Sequence, residues 1–201
     1  REVAYSLADE EYNYEHCHKW ESARLRLHEG ETLTVEDLIY ASLVGSANNT
    51  VETLVRVSGM DRDEFIARMN QKAKEWGAEH TTFVEPTGLA PANVSTARDY
   101  AFMMREALKH PILRKASSMQ EYEFATINED REKDLRNTNH IIRRDQFNII
   151  GSKTGYLHEA GYCLMTRVQE GPRDVTVVTL GAGDRDASFY DTTNLIEYAL
   201  K

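Results

Sequence analysis

Residues 149–155 read Ile149-Ile150-Gly151-Ser152-Lys153-Thr154-Gly155, and far upstream residues 45–49 read Gly45-Ser46-Ala47-Asn48-Asn49. The first run opens on β-branched residues and closes on a lysine, a threonine and a glycine, the composition of a strand end. The second lies between two stretches of helical period. Taken singly, each has an ordinary explanation. A serine ahead of a helix is usually an N-cap, and a lone Lys-Thr-Gly is usually an exposed strand end.

Outward from these runs the chain divides by period. Val35, Leu38, Ile39 and Leu43 fall on one helical face, opened by a Thr34/Asp37 capping box. Further helices are expected from about Ala47 to Val57, over 61–76 with Gly77 as C-cap, and from Thr96 to a stop at His110-Pro111. Glu85 to Pro91 reads as a turn-rich loop. Beyond residue 119 strands are expected over Glu121 to Thr126, Ile149 to Gly155, Tyr162 to Val168 and Asp174 to Leu180. Glu170-Gly171-Pro172-Arg173 forms a hairpin connection, and a helix over about 186–200 closes the chain. The last two strands are apolar on both faces, so the sheet is expected to be covered on both sides. The expected architecture is α+β in one domain over 1–201, helical over about 34–115 and sheet with closing helix over about 120–200. Residues 1–36 read as irregular surface chain with solvated acids and one short strand around Ala23-Arg24-Leu25-Arg26-Leu27.

Composition narrows the function. The 41% hydrophobic and 28% charged content is ordinary for a globular protein, which excludes a disordered tail, a fibre or a coiled coil. With 33 acids against 24 bases the net charge is −9, which argues against nucleic acid as a partner and against adsorption to anionic lipid. Two cysteines are too few for a disulfide framework. No run approaches the roughly 20 apolar residues that cross a bilayer, so membrane association is not visible in the chain. The opening Arg1-Glu2-Val3-Ala4-Tyr5 is neither an initiator Met nor a signal segment, and the chain is expected to be processed or a piece of something longer.

Together the two runs resemble the Ser-x-Asn and Lys-Thr-Gly motifs of active-site serine penicillin-recognising enzymes. Flanking segments narrow the resemblance to the D-alanyl-D-alanine carboxypeptidases. They include Gly30 to Leu38, Phe65 to Ala73, Thr82-Phe83 through Thr87-Gly88-Leu89, Ser95 to Asp99, Asn137-Thr138-Asn139 and Ala160 to Leu164. The resemblance covers about residues 25–200 and implies the penicillin-binding, β-lactamase-like transpeptidase fold. It implies that Lys153 stands beside the reacting centre and that Thr154 binds the substrate carboxylate. The strand carrying Gly155 and Tyr156 would pair with the peptide, and the Tyr156 N–H would form half of an oxyanion hole. Ser46 would relay a proton to the leaving amine, while Asn48 would bind the substrate amide and position a lysine. Arg185 matches a family arginine at the carboxylate end, or else forms a surface ion pair at a helix start.

The implied activity is serine D,D-carboxypeptidase action on peptidoglycan pentapeptides, with β-lactam antibiotics as acylating ligands, no cofactor or metal, and an extracytoplasmic location. The family nucleophile lies in a Ser-x-x-Lys motif, and no serine in these 201 residues has a lysine three positions on. The nucleophile helix and the strands before it are therefore expected to be missing, leaving the chain inactive alone. The alternatives are a pseudoenzyme that binds peptide without chemistry, or completion by an N-terminal segment of the same protein. A β-lactamase is a weaker alternative, because Glu85 lacks the Leu-Asn that such a glutamate loop needs. His16-Cys17-His18 offers no second ligand pair for a metal. Cys163 reads as a buried thiol, with Cys17–Cys163 pairing open.

Overall fold

The computed structural model describes residues 1–201. The N-terminal segment forms β1 (Glu2–Ala4), α1 (Ala8–Glu11) and a 3₁₀ turn (Tyr12–Glu15). Then come β2 (Thr32–Thr34) and four helices: α2 (Val35–Leu43), α3 (Asn48–Val57), α4 (Arg62–Glu75) and α5 (Ala97–Ala107). The helix starts follow the sequence signals. Thr34 and Asp37 form the reciprocal capping box, Asp61 caps α4 through the Glu64 N–H, and Thr96 caps α5 through the Asp99 N–H. Gly77, at φ +80°, takes the left-handed conformation that terminates α4.

His110-Pro111 ends α5 as expected but also starts a helix the sequence reading missed, α6 (Pro111–Ser118). Proline is well suited to the first helical position, where its absent N–H is not required. The strand over Glu121–Ala125 (β3) does not join the main sheet. It pairs antiparallel with β4 (Glu132–Arg136), also unforeseen, as a separate two-stranded ribbon. The main sheet has the order β5-β6-β7, with β5 at Ile149–Leu157, β6 at Gly161–Glu170 and β7 at Arg173–Ala182. All its pairs are antiparallel, with Lys153 opposite Met165 and Gly155 opposite Cys163. The closing helix α7 spans Arg185–Ala199.

Helices meet both faces of this sheet, as the two-sided apolar pattern of β6 and β7 requires. Leu164 packs with Phe189 of α7, and Val168 and Val177 with Ile196. Successive strand residues point oppositely, so the adjacent Cys163 faces the other way, towards Tyr100 of α5. The largest core lies elsewhere. It joins Val3, Tyr5, Leu25, Leu27, Leu33 and Leu38 to the end of α2 and to Leu135 of β4.

The first 36 residues therefore need correction. The alternation in 23–27 is not a strand: Leu25 and Leu27 are buried in the core, but the backbone has no strand partner. Nor are the acids here all solvated. Asp9 is buried against Arg56 at 2.9 Å and Thr53 at 2.7 Å, and Glu10 against Tyr5 at 2.6 Å and Arg24 at 2.9 Å. Glu31 accepts the His28 N–H at 2.6 Å, with Arg131 at 3.0 Å and Lys133 at 3.2 Å. Burying a carboxylate is tolerable only with such partners, and these come from segments the local pattern cannot reveal. No helix is long and apolar enough to cross a membrane.

Candidate active site

The turn between α2 and α3 presents the first motif. A Cβ on Gly45 would lie 2.9 Å from Leu135 Cδ2 and 3.1 Å from the Ala41 carbonyl, so a larger residue there would have to push the Leu135 side chain aside. Ser46 follows at φ +57°, the left-handed region that non-glycine residues rarely occupy. The strain is held by bonds on either side. Ala47 N–H donates to Ala41 at 3.1 Å, Asn48 N–H to Ala23 at 2.8 Å, and Thr50 Oγ1 to the Ala47 carbonyl at 2.8 Å. Asn48 opens α3 and is half-buried, its Nδ2 donating to Ser22 Oγ at 3.3 Å.

Asn49 had no role in the sequence reading, yet it binds the 25 segment on both sides. It accepts from Leu25 N–H at 3.0 Å and donates to Leu25 O at 2.9 Å and to Tyr5 Oη at 2.9 Å. A second consecutive asparagine was the only hint that one faced inward.

The second motif arrives on β5, at the edge of its sheet. Gly151 permits close approach to the end of α5 and to α6: a Cβ there would lie 2.5 and 2.6 Å from the Leu108 methyls and 3.0 Å from Ser117 Oγ. Two residues on, Lys153 Nζ donates to Ser46 Oγ at 2.5 Å and to the Thr154 carbonyl at 2.8 Å. No carboxylate lies within ion-pair distance of it, and burial pushes its pKa down from 10.5 to about 8.

Thr154 Oγ1 shares a 2.5 Å hydrogen bond with Thr138 Oγ1. Thr138 is held by its neighbours: Asn137 Nδ2 donates to Met119 O at 2.7 Å, and Asn137 Oδ1 and Asn139 Oδ1 accept from N–H groups two residues on, at 2.9 Å each. Those self-bonding asparagines are a turn signature visible in Asn137-Thr138-Asn139, but the threonine between them was not singled out.

Gly155 and Tyr156 are exposed, and the Tyr156 ring packs on Tyr162 with centroids 4.4 Å apart. Arg185 is the first residue of α7, exposed and in no ion pair, so the surface-pair alternative is not realised. Two residues from Thr138, His140 stacks on Phe189 at 5.0 Å. Burial, then the charges of Arg143, Arg185 and Arg144, hold His140 below the usual histidine value. The structure thus brings Ser46 to Lys153 and Thr138 to Thr154, and sets Arg185 within electrostatic reach of the His140 segment.

Other candidates separate from this centre. The Glu85 carboxylate is consumed within its own loop, accepting from the N–H groups of Thr87 at 2.6 Å, Gly88 at 2.7 Å and Ala90 at 3.2 Å. His16, Cys17 and His18 form no ligand cluster. The group that could converge on an ion is His28, Glu31 and Glu129, where Arg131 and Lys133 already neutralise Glu31. Cys17 and Cys163 are free, half-buried thiols, so Cys163 is less enclosed than expected.

A sequence profile of the D-alanyl-D-alanine carboxypeptidases, peptidase family S11, matches residues 4–184. The chain belongs to this family. Similar D-alanyl-D-alanine carboxypeptidase-family relatives include the D-alanyl-D-alanine endopeptidase of Pseudomonas aeruginosa, 34% identical over 170 residues, which are 85% of this chain and 55% of that protein. The D-alanyl-D-alanine carboxypeptidase DacF of Bacillus subtilis is 30% identical over 194 residues, 96% of this chain and 49% of the relative. The chain spans about half the length of these curated relatives. A mutant of the Streptomyces K15 DD-transpeptidase superposes with a TM-score of 0.89 at 25% identity, over 99% of this chain and 79% of that one. The fold is therefore that of the penicillin-binding DD-peptidases, α+β with an antiparallel sheet, as the resemblance implied.

Proposed function

We propose that this chain forms the substrate-binding and proton-relay part of a serine D,D-carboxypeptidase. It would act outside the cytoplasm on peptidoglycan pentapeptides, with the acyl-forming serine in a Ser-x-x-Lys segment outside residues 1–201. The observation that carries this reading is the Lys153–Ser46 hydrogen bond, which joins the two motifs across the interface between the helices and the sheet.

In this reading the stem peptide lies along the open edge of β5 as an added strand, with Gly155 leaving room for it. Thr154, oriented by Thr138, hydrogen-bonds the terminal carboxylate, and Arg185 supplies positive charge at the same end. The Tyr156 N–H aims at the developing oxyanion. Ser46 passes its hydroxyl proton to the departing D-Ala amine and recovers one from the Lys153 ammonium, while Asn48 holds the substrate amide.

The test is intact-mass spectrometry after incubation with benzylpenicillin, on this chain and on a longer product carrying the preceding segment. A one-equivalent adduct on the longer product only, mapped outside residues 1–201, supports the proposal. No adduct on either favours a peptide-binding pseudoenzyme, the reading that the lack of Ser-x-x-Lys within these residues recommends. Because some relatives are named endopeptidases, the longer product should also be offered cross-linked muropeptides. Cleavage of these faster than pentapeptides would move the substrate to the cross-link.

A further inference from the structure

We infer that Ser46 and Lys153 are a serine–lysine dyad able to accept small acyl or phosphonyl groups on Ser46 Oγ within this chain, without any other nucleophile. This goes beyond the relay role and holds whichever way that reading falls.

From sequence, Ser46 is unactivated because no lysine follows it three residues on. The tertiary structure supplies one from β5 instead, with Nζ 2.5 Å from Oγ. Three further features fit a reacting serine. First, no carboxylate pairs with Lys153, whose other partner is the Thr154 carbonyl, so nothing obliges the nitrogen to stay cationic. As the ammonium it donates to Oγ; as the amine its lone pair accepts the Oγ proton, which activates the hydroxyl. Second, Ser46 is a left-handed non-glycine residue on a sharp turn after a helix, φ +57°. Such turns project a nucleophile clear of its own backbone, and such strain concentrates at functional sites. Third, Ser46 is only half-buried, and its own N–H, bonded to no backbone acceptor, can serve a developing oxyanion.

With a phosphonyl fluoride as donor, Oγ attacks phosphorus and its proton moves to Nζ. The P–F bond breaks, fluoride leaves, and the Nζ proton is lost to solvent, leaving a stable phosphonyl-Ser46. Such a donor is small enough to need little of the cleft beyond the dyad.

The experiment treats the 201-residue chain with an ethyl fluorophosphonate between pH 6.5 and 9.5, followed by intact mass and peptide mapping. The expected result is one adduct on Ser46, forming faster as pH rises and levelling above the Lys153 titration. Ser46→Ala should remove it. Lys153→Met and Lys153→Arg should each slow it by about 10² or more, the usual contribution of a positioned base. Arginine keeps the charge but cannot act as the base, so its failure separates base catalysis from electrostatics. Circular dichroism establishes that each variant is folded. Should one variant fail to fold, the pH profile of the unaltered chain and the other variants carry the test. No adduct, an adduct mapped to another residue, or undiminished labelling of folded Lys153→Met would overturn the dyad. Benzylpenicillin on the longer product reports separately on the upstream nucleophile, so either idea can fail alone.

Discussion

Lys153 Nζ and Ser46 Oγ, 107 positions apart in the chain, meet at 2.5 Å with no acid nearby to neutralise the lysine. The contact joins a strand edge to an interhelical turn, and it requires a cation to lose much of its hydration. Each side is positioned by a glycine packed against a leucine, Gly45 on Leu135 and Gly151 on Leu108.

That burial makes Lys153 costly to stability. Its pKa is depressed to about 8 in the folded chain against 10.5 unfolded, so the folded state binds the proton less well. The penalty is full below pH 8, shrinks as pH rises from 8 to 10.5, and is gone above. A shift of this size corresponds to about 3 kcal/mol at most. Lys153→Met is therefore expected to raise unfolding stability by ~1–3 kcal/mol at pH 7, a gain that fades towards pH 10. Urea titrations of both proteins at the two pH values measure it, and a loss of stability at pH 7 would contradict it.

The Gly151 approach predicts a rescue. Gly151→Ala places a methyl into the Leu108 side chain and should cost ~1–3 kcal/mol by overpacking, while displacing β5 and Lys153. Adding Leu108→Ala opens the space, so the double variant should lose less than the sum of the single changes. Denaturant midpoints of the four proteins in the cycle decide it; strict additivity would rule out the contact.

Glu85 should shape the acid limb. Burial alone would raise its carboxyl, but hydrogen bonds from the Thr87 hydroxyl and the Thr87, Ala90 and Gly88 N–H groups outweigh burial and hold it below 4.5. A depressed carboxylate contributes stability that is present above its unfolded pKa and lost as pH falls through the folded one. Glu85→Gln should thus lower stability at pH 7 and flatten the acid transition below about pH 4.5. Thermal melts from pH 3 to 7 would expose an unchanged slope.

Lys133 is almost fully buried and lies 3.2 Å from Glu31, which is fully buried. Lys133→Met strips one cation from an enclosed carboxylate that keeps Arg131, and is expected to cost ~2–4 kcal/mol. Lys133→Met with Glu31→Leu should recover part of that loss by removing the stranded charge. Double-variant unfolding no better than Lys133→Met alone would refute the pairing.

Local chemistry explains what was legible beforehand. Thr34 with Asp37, Asp61, Thr96 and Gly77 each satisfy a helix end with their own neighbours, so α2, α4 and α5 could be placed from the chain. The alternating and β-branched runs of β5, β6 and β7, with the Gly171-Pro172 turn, likewise carry their own register. α6 was missed because Pro111 both stops one helix and starts another. β3 was assigned to the wrong sheet and β4 was missed because a short strand does not encode its partner. The acids of residues 1–36 looked solvated because the cations that permit their burial are remote in sequence: Arg56, Arg131 and Lys133 lie outside the segment, and Arg24 stands 14 positions from Glu10.

The amino-acid sequence by itself determined helices α2 to α5 and α7, the three long strands and the two motifs that mark the family, because caps, periodicity and turn residues act over a few positions. Only the tertiary structure decided what those motifs do to each other. It brought Lys153 to Ser46 and Thr138 to Thr154, left Arg185 outside any ion pair, and closed Glu85 upon its own loop. Proton affinity depends on distance and on water excluded by packing, and neither exists until the sheet edge and the interhelical turn are held together by the core.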